Sequence, residues 1–420
     1  MDKSLFQLHR GRFFERMADR SVAILFSGEA PHKSADQFFP YETNRNFFYL
    51  TGIERPSMNL VIIKDQTRRF EYLFIEETSD YINKWFGRRM SADEAAETAG
   101  IDRANVKLLA EFPDFIANVF SNTRRAICQK PVHLYLDLFR PKALTEPVAL
   151  VKADFIVSSY PELVIKDANE ILDVLRVVKD AAEITAIETA IGHSRAAIEA
   201  VLKHARPGMN ERELAGLYEF SLRQHGAKDM SFHPILASGA NAAVLHYEDN
   251  DKDIQSGALV LMDLGSLDGP YASDISRTFP IDGKFTARQK QLYSLVLAVN
   301  KKTIEFVRPG LMMAELQAYA RNLLAEGMVK LGLIANVEAV GKHYYHNVSH
   351  YLGLDVHDVG SYLEPLRPGV VLTIEPGIYI EEEGLGIRIE DNVLVTESGR
   401  RNLSQAIIKE IADIENFMAK

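Results

Sequence analysis

The feature that most constrains this chain is an internal repeat. The pattern Arg-Pro-Gly, four residues, Glu-Leu stands at 206–214 (RPGMNEREL) and again at 308–316 (RPGLMMAEL). A second matched pair follows, GALVLMDLG at 257–265 and GVVLTIEPG at 369–377. In both, an acidic residue lies six positions after the first glycine, Asp263 in one and Glu375 in the other. The offsets between copies, 102 and 112 residues, nearly agree, which marks a duplicated unit. Packed about a pseudo-twofold axis, two such units would face their acidic strands across one site.

Amphipathic helices frame the repeat. Ile184, Ile187, Ile191, Ile198 and Leu202 follow helical spacing, and a second helix starts after the cap Thr286 with Leu292, Leu295, Val296, Val299 and Phe306 on one face. The earlier residues read differently. SVAILFSG (21–28), NFFYLTGI (46–53), NLVIIKD (59–65) and RFEYLFIEE (69–77) are expected strands. SADEAAETAG (91–100), which starts with a serine cap and ends on glycine, is an expected helix. The chain is therefore expected to be α/β (α+β), with a mixed α/β domain over 1–170 and the repeat-bearing domain over 171–420.

The acidic residues come in pairs. Asp274 lies eleven residues after Asp263, past a Gly-Pro turn at 269–270, and Glu390 lies fifteen after Glu375. Both gaps suit hairpins that place two carboxylates on one face. Singly, each acid would read as a surface cap or ion-pair partner. Four of them inside or ending apolar β-runs would repel one another and resist desolvation, and multivalent cations remove that cost.

Histidine completes the pattern. HYYHNVSHYLGLDVHD gathers His343, His346, His350 and His357, and His246 in LHYEDND precedes the first acidic strand. A neutral imidazole ligates metals or shuttles protons. An oxygen-rich set without thiolate suits hard or borderline divalent ions, manganese ahead of zinc or cobalt. Carboxylates bridging two ions about 3.5–4 Å apart make a hydrolytic site, in which a bound water becomes hydroxide and the scissile carbonyl is polarised.

Composition closes other classes. Lys and Arg total 48 against 58 Asp and Glu, a net charge of −10 with no basic run, which argues against nucleic acid as a partner. No run of 18 apolar residues predicts a membrane span. Charges interrupt MDKSLFQLHRGRFFERM, so no secretory signal is expected. The single cysteine, Cys128, excludes an intrachain disulfide and fits a cytoplasmic setting.

Several stretches together resemble the pita-bread metallopeptidases, and within them the Xaa-Pro aminopeptidases (aminopeptidase P). They are LHYEDND, LVLMDLGSLDGPYASDISRTFPIDGKFT, HNVSHYLGLDVHDVG, LTIEPGIYI and GIRIEDNVLVT, with PYETNRNFFYLTGI and WFGRR in the first domain. The resemblance runs from about residue 35 to 405. The metal motifs are general to the superfamily, whereas SHYLGLDVHDVG and WFGRR are more specific to aminopeptidase P.

The resemblance implies an N-terminal aminopeptidase P domain ahead of a pita-bread catalytic domain, and release of the residue preceding a penultimate proline. Asp263 would bind one metal, His350 and Glu375 the other, and Asp274 and Glu390 both. His246 and His357 would stabilise the tetrahedral intermediate and assist proton transfer, and Glu375 would take the proton of the nucleophilic water. Arg388, two residues before Glu390 and so on its strand face, would pair with Asp263. His346 and Tyr379 would line the site for proline. Trp85 would reach from a neighbouring subunit to the active-site mouth, which implies a homo-oligomer, dimer or tetramer. The connection EEEGLG (381–386) looks shorter than in many relatives, which bears on peptide length and not on the ligands. Prolidase, the same fold acting on Xaa-Pro dipeptides, is the nearest alternative. A non-catalytic peptide-binding member is a further one, disfavoured by the complete ligand set.

Overall fold

The structure, a computed structural model, describes residues 1–121 and 126–419. The chain divides into two units, Met1–Arg176 and Val177–Lys420.

The first unit is built on a six-stranded mixed sheet in the order Val106–Leu108, Arg68–Ile75, Asn59–Asp65, Ser21–Phe26, His133–Leu136, Val164–Asp167. Ser21–Phe26 is buried along its whole length, with Asn59–Asp65 antiparallel on one side and His133–Leu136 parallel on the other. Burial on both faces accounts for its unbroken apolar run. The helix expected near 91–100 forms as Ala92–Ala99, closed by a Ser91–Glu94 capping box and by left-handed Gly100.

The strand expected at 46–53 is instead a helix, Arg45–Thr51. Six of its seven residues are buried. An element buried all round has no polar face, so its apolar run carries no period to separate strand from helix. The ends decide it. The Asn44 side chain accepts the N–H of Phe47, and Gly52, at φ +69°, takes the left-handed turn that stops the helix.

In the second unit each copy of the repeat opens with a helix pair. Ala181–His204 (α1) turns through Arg-Pro-Gly208 into Glu211–Gln224 (α2), and Ala287–Phe306 (α3) through Arg-Pro-Gly310 into Met313–Lys330 (α4). The repeated glycine, glutamate and leucine each have a local task. Gly208 and Gly310 adopt φ +85° and +82°, which an L side chain strains. Glu213 and Glu315 accept the backbone N–H groups of Asn210 and Met312 at 2.8 and 2.9 Å, satisfying donors at the helix start. Leu214 and Leu316 are fully buried.

A sheet follows each pair. In the first copy Ile235–Ser238 (β1), Leu259–Leu264 (β2) and Ile275–Pro280 (β3) form an antiparallel sheet with β2 in the middle. In the second, Val371–Ile374 (β4) pairs with Asp391–Thr396 (β7), which also pairs with Gly399–Asn402 (β8). Between them, Gly377–Ile380 (β5) and Leu385–Arg388 (β6) form a hairpin. Among the described residues no helix is long and apolar enough to cross a membrane.

Candidate metal centre

The four carboxylates stand where strand ladders end or break. Asp263 is in β2 opposite Ser276, and Asp274 is the residue just ahead of β3. At Gly265, between them, a Cβ would lie 2.2 Å from the Ser273 carbonyl oxygen, so the connection closes only around glycine. In the second copy Ile374 pairs with Asp391 and Gly377 with Arg388. The residues between these pairs, Glu375-Pro376 and Ile389-Glu390, belong to neither ladder. Pro376 has no N–H to give, which interrupts the pairing there.

These acids meet in one cavity of about 170 Å³, whose wall His246, His346, His350, His357 and Arg388 complete. His350 Nε2 lies 3.3 Å from Asp274 Oδ2 and 3.5 Å from Glu375 Oε1, while its Nδ1 lies 3.0 Å from the Tyr351 carbonyl. With Nδ1–H donating to that carbonyl, Nε2 is the nitrogen that faces the cavity, and on losing its proton it would offer a metal the lone pair a ligand needs. One ligand atom each from Asp274, His350 and Glu390 lies within 4.8 Å of the other two. Asp263 Oδ1 and Asp274 Oδ1 are buried and accept no hydrogen bond. Buried carboxylate oxygens without donors are costly, and this donor set suits hard or borderline divalent cations. The residues fit a cation centre.

The electrostatics point the same way. Burial, reinforced by Asp263, pushes Asp274 up to about 6. Burial pushes Glu375 up to about 7 against the pull of His350 and Arg388. Glu390 is driven well above the carboxylate range by burial and then by Asp274. For His350, burial pulls downward, but the Asp274 hydrogen bond and the Glu375 charge outweigh it and lift the imidazole to about 9. Crowded acids that hold protons near neutrality are the groups a bound cation would strip of them.

One buried guanidinium braces the set. Arg388 Nη2 donates to Asp263 Oδ2 at 2.6 Å, Nε to Ser276 Oγ at 2.7 Å and Nη1 to the Tyr379 hydroxyl at 3.0 Å. Ser276 in turn donates to Glu390 Oε2 at 2.7 Å. The Tyr379 hydroxyl lies 2.9 Å from His346 Nε2, whose Nδ1 is 2.7 Å from the Asn347 carbonyl. Burial, then Arg388, pulls His346 down to about 4, so it is neutral and accepts from Tyr379.

Residues 185–397 match metallopeptidase family M24, and residues 6–128 match the aminopeptidase P N-terminal domain. The chain belongs to family M24. The Xaa-Pro aminopeptidase of Escherichia coli strain K12 is 34% identical over 98% of this chain and 97% of its own length. A solved candidate aminopeptidase P from Bacillus anthracis is 44% identical with a TM-score of 0.96, covering 100% of this chain and 99% of that one. Zinc-substituted E. coli aminopeptidase P in complex with product is 31% identical with a TM-score of 0.90, covering 100% and 98%. The mixed α/β first unit and the pita-bread second unit are thus the architecture of aminopeptidase P structures.

Around this M24 centre the remaining candidates take distinct places. His246 and His357 are exposed, and the His357 ring stands edge-on to His350 with centroids 4.3 Å apart. Partial desolvation of its ring against the cavity wall, then the His350 charge, pulls His357 down. His343 does not line the cavity: it is buried with Nδ1 2.9 Å from the Tyr379 carbonyl. Trp85 lies in the first unit, on the helix Asp80–Phe86, and is 69% exposed beside exposed Tyr81 and Phe86.

Two members escaped the sequence reading. Ser276 links Arg388 to Glu390, and Thr373 accepts the His350 N–H at 3.1 Å while donating to Glu375 Oε1 at 3.3 Å. Both stand two residues from a ligand candidate, as Asp274/Ser276 and Thr373/Glu375, and so share its strand face. That alternation was the available signal.

Proposed function

We propose that this M24 chain is an Xaa-Pro aminopeptidase, a metal-dependent exopeptidase that releases the residue ahead of a penultimate proline. The observation that carries this reading is the convergence of Asp263, Asp274, His350, Glu375 and Glu390 on one cavity. Similarity to aminopeptidase P over essentially the full chain supports it.

In this reading Asp263 would hold one divalent cation, His350 and Glu375 would hold the other, and Asp274 and Glu390 would serve both. Manganese is the ion we assign, with zinc or cobalt as substitutes. When bound, such ions lower the pKa of a water and polarise the scissile carbonyl. Glu375 would accept the proton of the attacking water, since its carboxylate lines the same cavity as the other ligand candidates. Arg388 keeps Asp263 in place through a short charge-assisted bond. His246 and His357, at the cavity rim, donate to the oxyanion and pass a proton toward the proline nitrogen. That nitrogen carries no hydrogen in the peptide and must gain one for the C–N bond to break. His346 and Tyr379 form the wall for the pyrrolidine ring.

The catalytic domain is 171–420, and the domain over 1–170 serves assembly. The exposed aromatics Tyr81, Trp85 and Phe86 support a homo-oligomer, dimer or tetramer, in which Trp85 walls a partner's substrate site. A cytoplasmic setting is supported by the lone thiol Cys128.

The test is turnover of an Xaa-Pro-Xaa tripeptide, an Xaa-Pro dipeptide and an Xaa-Ala-Xaa control with manganese present. The tripeptide is expected to lose its first residue and the control to persist. Cleavage of the dipeptide alone would reassign the chain to prolidase chemistry. No turnover, with no metal bound by elemental analysis, would overturn the reading.

A further inference from the structure

One buried charge near the cavity takes no part in the chemistry above. Glu211, the first residue of α2, is completely buried. Five donors converge on its carboxylate. Oε1 accepts from the Ser238 N–H at 2.7 Å, the Ser238 hydroxyl at 2.6 Å and Asn241 Nδ2 at 3.1 Å. Oε2 accepts from the Tyr247 hydroxyl at 2.8 Å and the Lys252 N–H at 3.1 Å. The backbone N–H of Glu211 also donates to the Lys252 carbonyl at 2.9 Å.

These donors are not scattered. Ser238 ends β1 and Lys252 lies on the approach to β2, so the carboxylate joins the two ends of the arc 238–252. Asn241 and Tyr247 tie down its middle. His246 sits in that arc, exposed at the rim between Leu245 and Tyr247. Tyr247 is buried in one apolar cluster with Ala242, Leu261 and Tyr379. A carboxylate suits the position because it alone offers several lone pairs and no donor, and the start of α2 favours negative charge.

We propose that Glu211 is a positioning residue: from beneath, it fixes the arc 238–252 and with it the place of His246 against the substrate. The proposal rests on the reading above that His246 acts in the reaction.

Glu211→Gln keeps the size but turns an NH₂ toward a cluster of donors. It should lower kcat about tenfold, leave KM within twofold and leave bound metal unchanged. Hydrogen exchange at the Ser238 and Lys252 amides should quicken. In a His246→Ala background, Glu211→Gln should change kcat by less than twofold, because the group it positions is gone. If the two losses multiply, or if Glu211→Gln alone keeps parental kcat, the proposal is overturned. If His246→Ala itself keeps parental kcat, the catalytic reading of His246 falls and takes the proposal with it. Should Glu211→Gln fail to fold, Tyr247→Phe removes one of the five donors. It should lower kcat severalfold and again be silent in the His246→Ala background; multiplying losses there would overturn the proposal.

Discussion

The floor and the rim of the cavity are built by opposite means. The floor residues Asp274, Glu390 and Arg388 are buried and sit in strands or at the breaks between ladders. Strand register places them, and Arg388 cross-links Asp263, Ser276 and Tyr379. The rim residues His246 and His357 are exposed and lie outside strands and α-helices. Their segments are held from behind instead. Glu211 anchors the arc bearing His246, and a buried Lys179–Asp358 pair at 2.9 Å holds the residue next to His357. Mutually repelling carboxylates need a rigid frame to stay together, because nothing local favours their approach. A group that meets substrate needs access, and only a surface segment gives it.

The contrast can be broken at several points. Its largest expected effect is at the floor. Glu390→Ala removes the anion assigned to both cations and should cut turnover more than about a hundredfold at saturating manganese, while the circular dichroism spectrum stays that of the parent. Activity within fivefold of the parent would sink the two-metal reading.

Next comes the rim. His246→Ala and His357→Ala should each lower kcat about ten- to a hundredfold with metal content unchanged, as for groups that act on the transition state. Metal loss in proportion to activity would make them ligands and erase the distinction between floor and rim.

A smaller effect concerns pH. Asp274 and Glu375 are pushed up to about 6 and about 7 in the folded chain, above the usual carboxylate values. Without cations their contribution to stability is therefore lost as pH rises from about 4 to 7. His350, lifted to about 9, contributes fully below its ordinary value near 6.5 and loses that contribution as pH rises through 9. Both signs agree. The gain in Tm on adding manganese to chelator-treated protein should widen between pH 5 and pH 8, and calorimetry with and without chelator checks it. A gain that shrinks with pH would show that these groups are not what the cation replaces.

The smallest effect lies outside both regions. Trp85→Ala should weaken turnover of longer peptides severalfold and leave metal content intact. Light scattering that shows a fully active monomer would remove Trp85 from the site altogether.

Much of the floor was legible in the sequence. The repeat, the acidic residue six positions after each glycine and the apolar runs around them are strand-scale patterns, and strands keep the spacing that pattern reading assumes. Ser276 and Thr373 were legible by the same alternation but lack the chemistry that draws the eye. The segment 46–53 was not legible, because an element buried on all sides shows no period and its type rests on Asn44 and Gly52 at its ends. Composition alone does not place Trp85: tryptophan is usually mostly buried, whereas this one is 69% exposed, and only the resemblance carried by WFGRR singled it out.

The sequence by itself determined the duplicated helix–turn–helix units and the strands that carry the acids. Each rests on a local cause: a glycine at positive φ, a glutamate capping a helix start, a leucine that must be buried. Only the tertiary structure decided the size of the cavity the acids share, that Ser276, 112 and 114 residues away, links Arg388 to Glu390, and that the Glu211 carboxylate ties down the arc bearing His246. Those contacts join residues far apart in the chain. Their distances follow from how the sheets and helices pack, which no local pattern records.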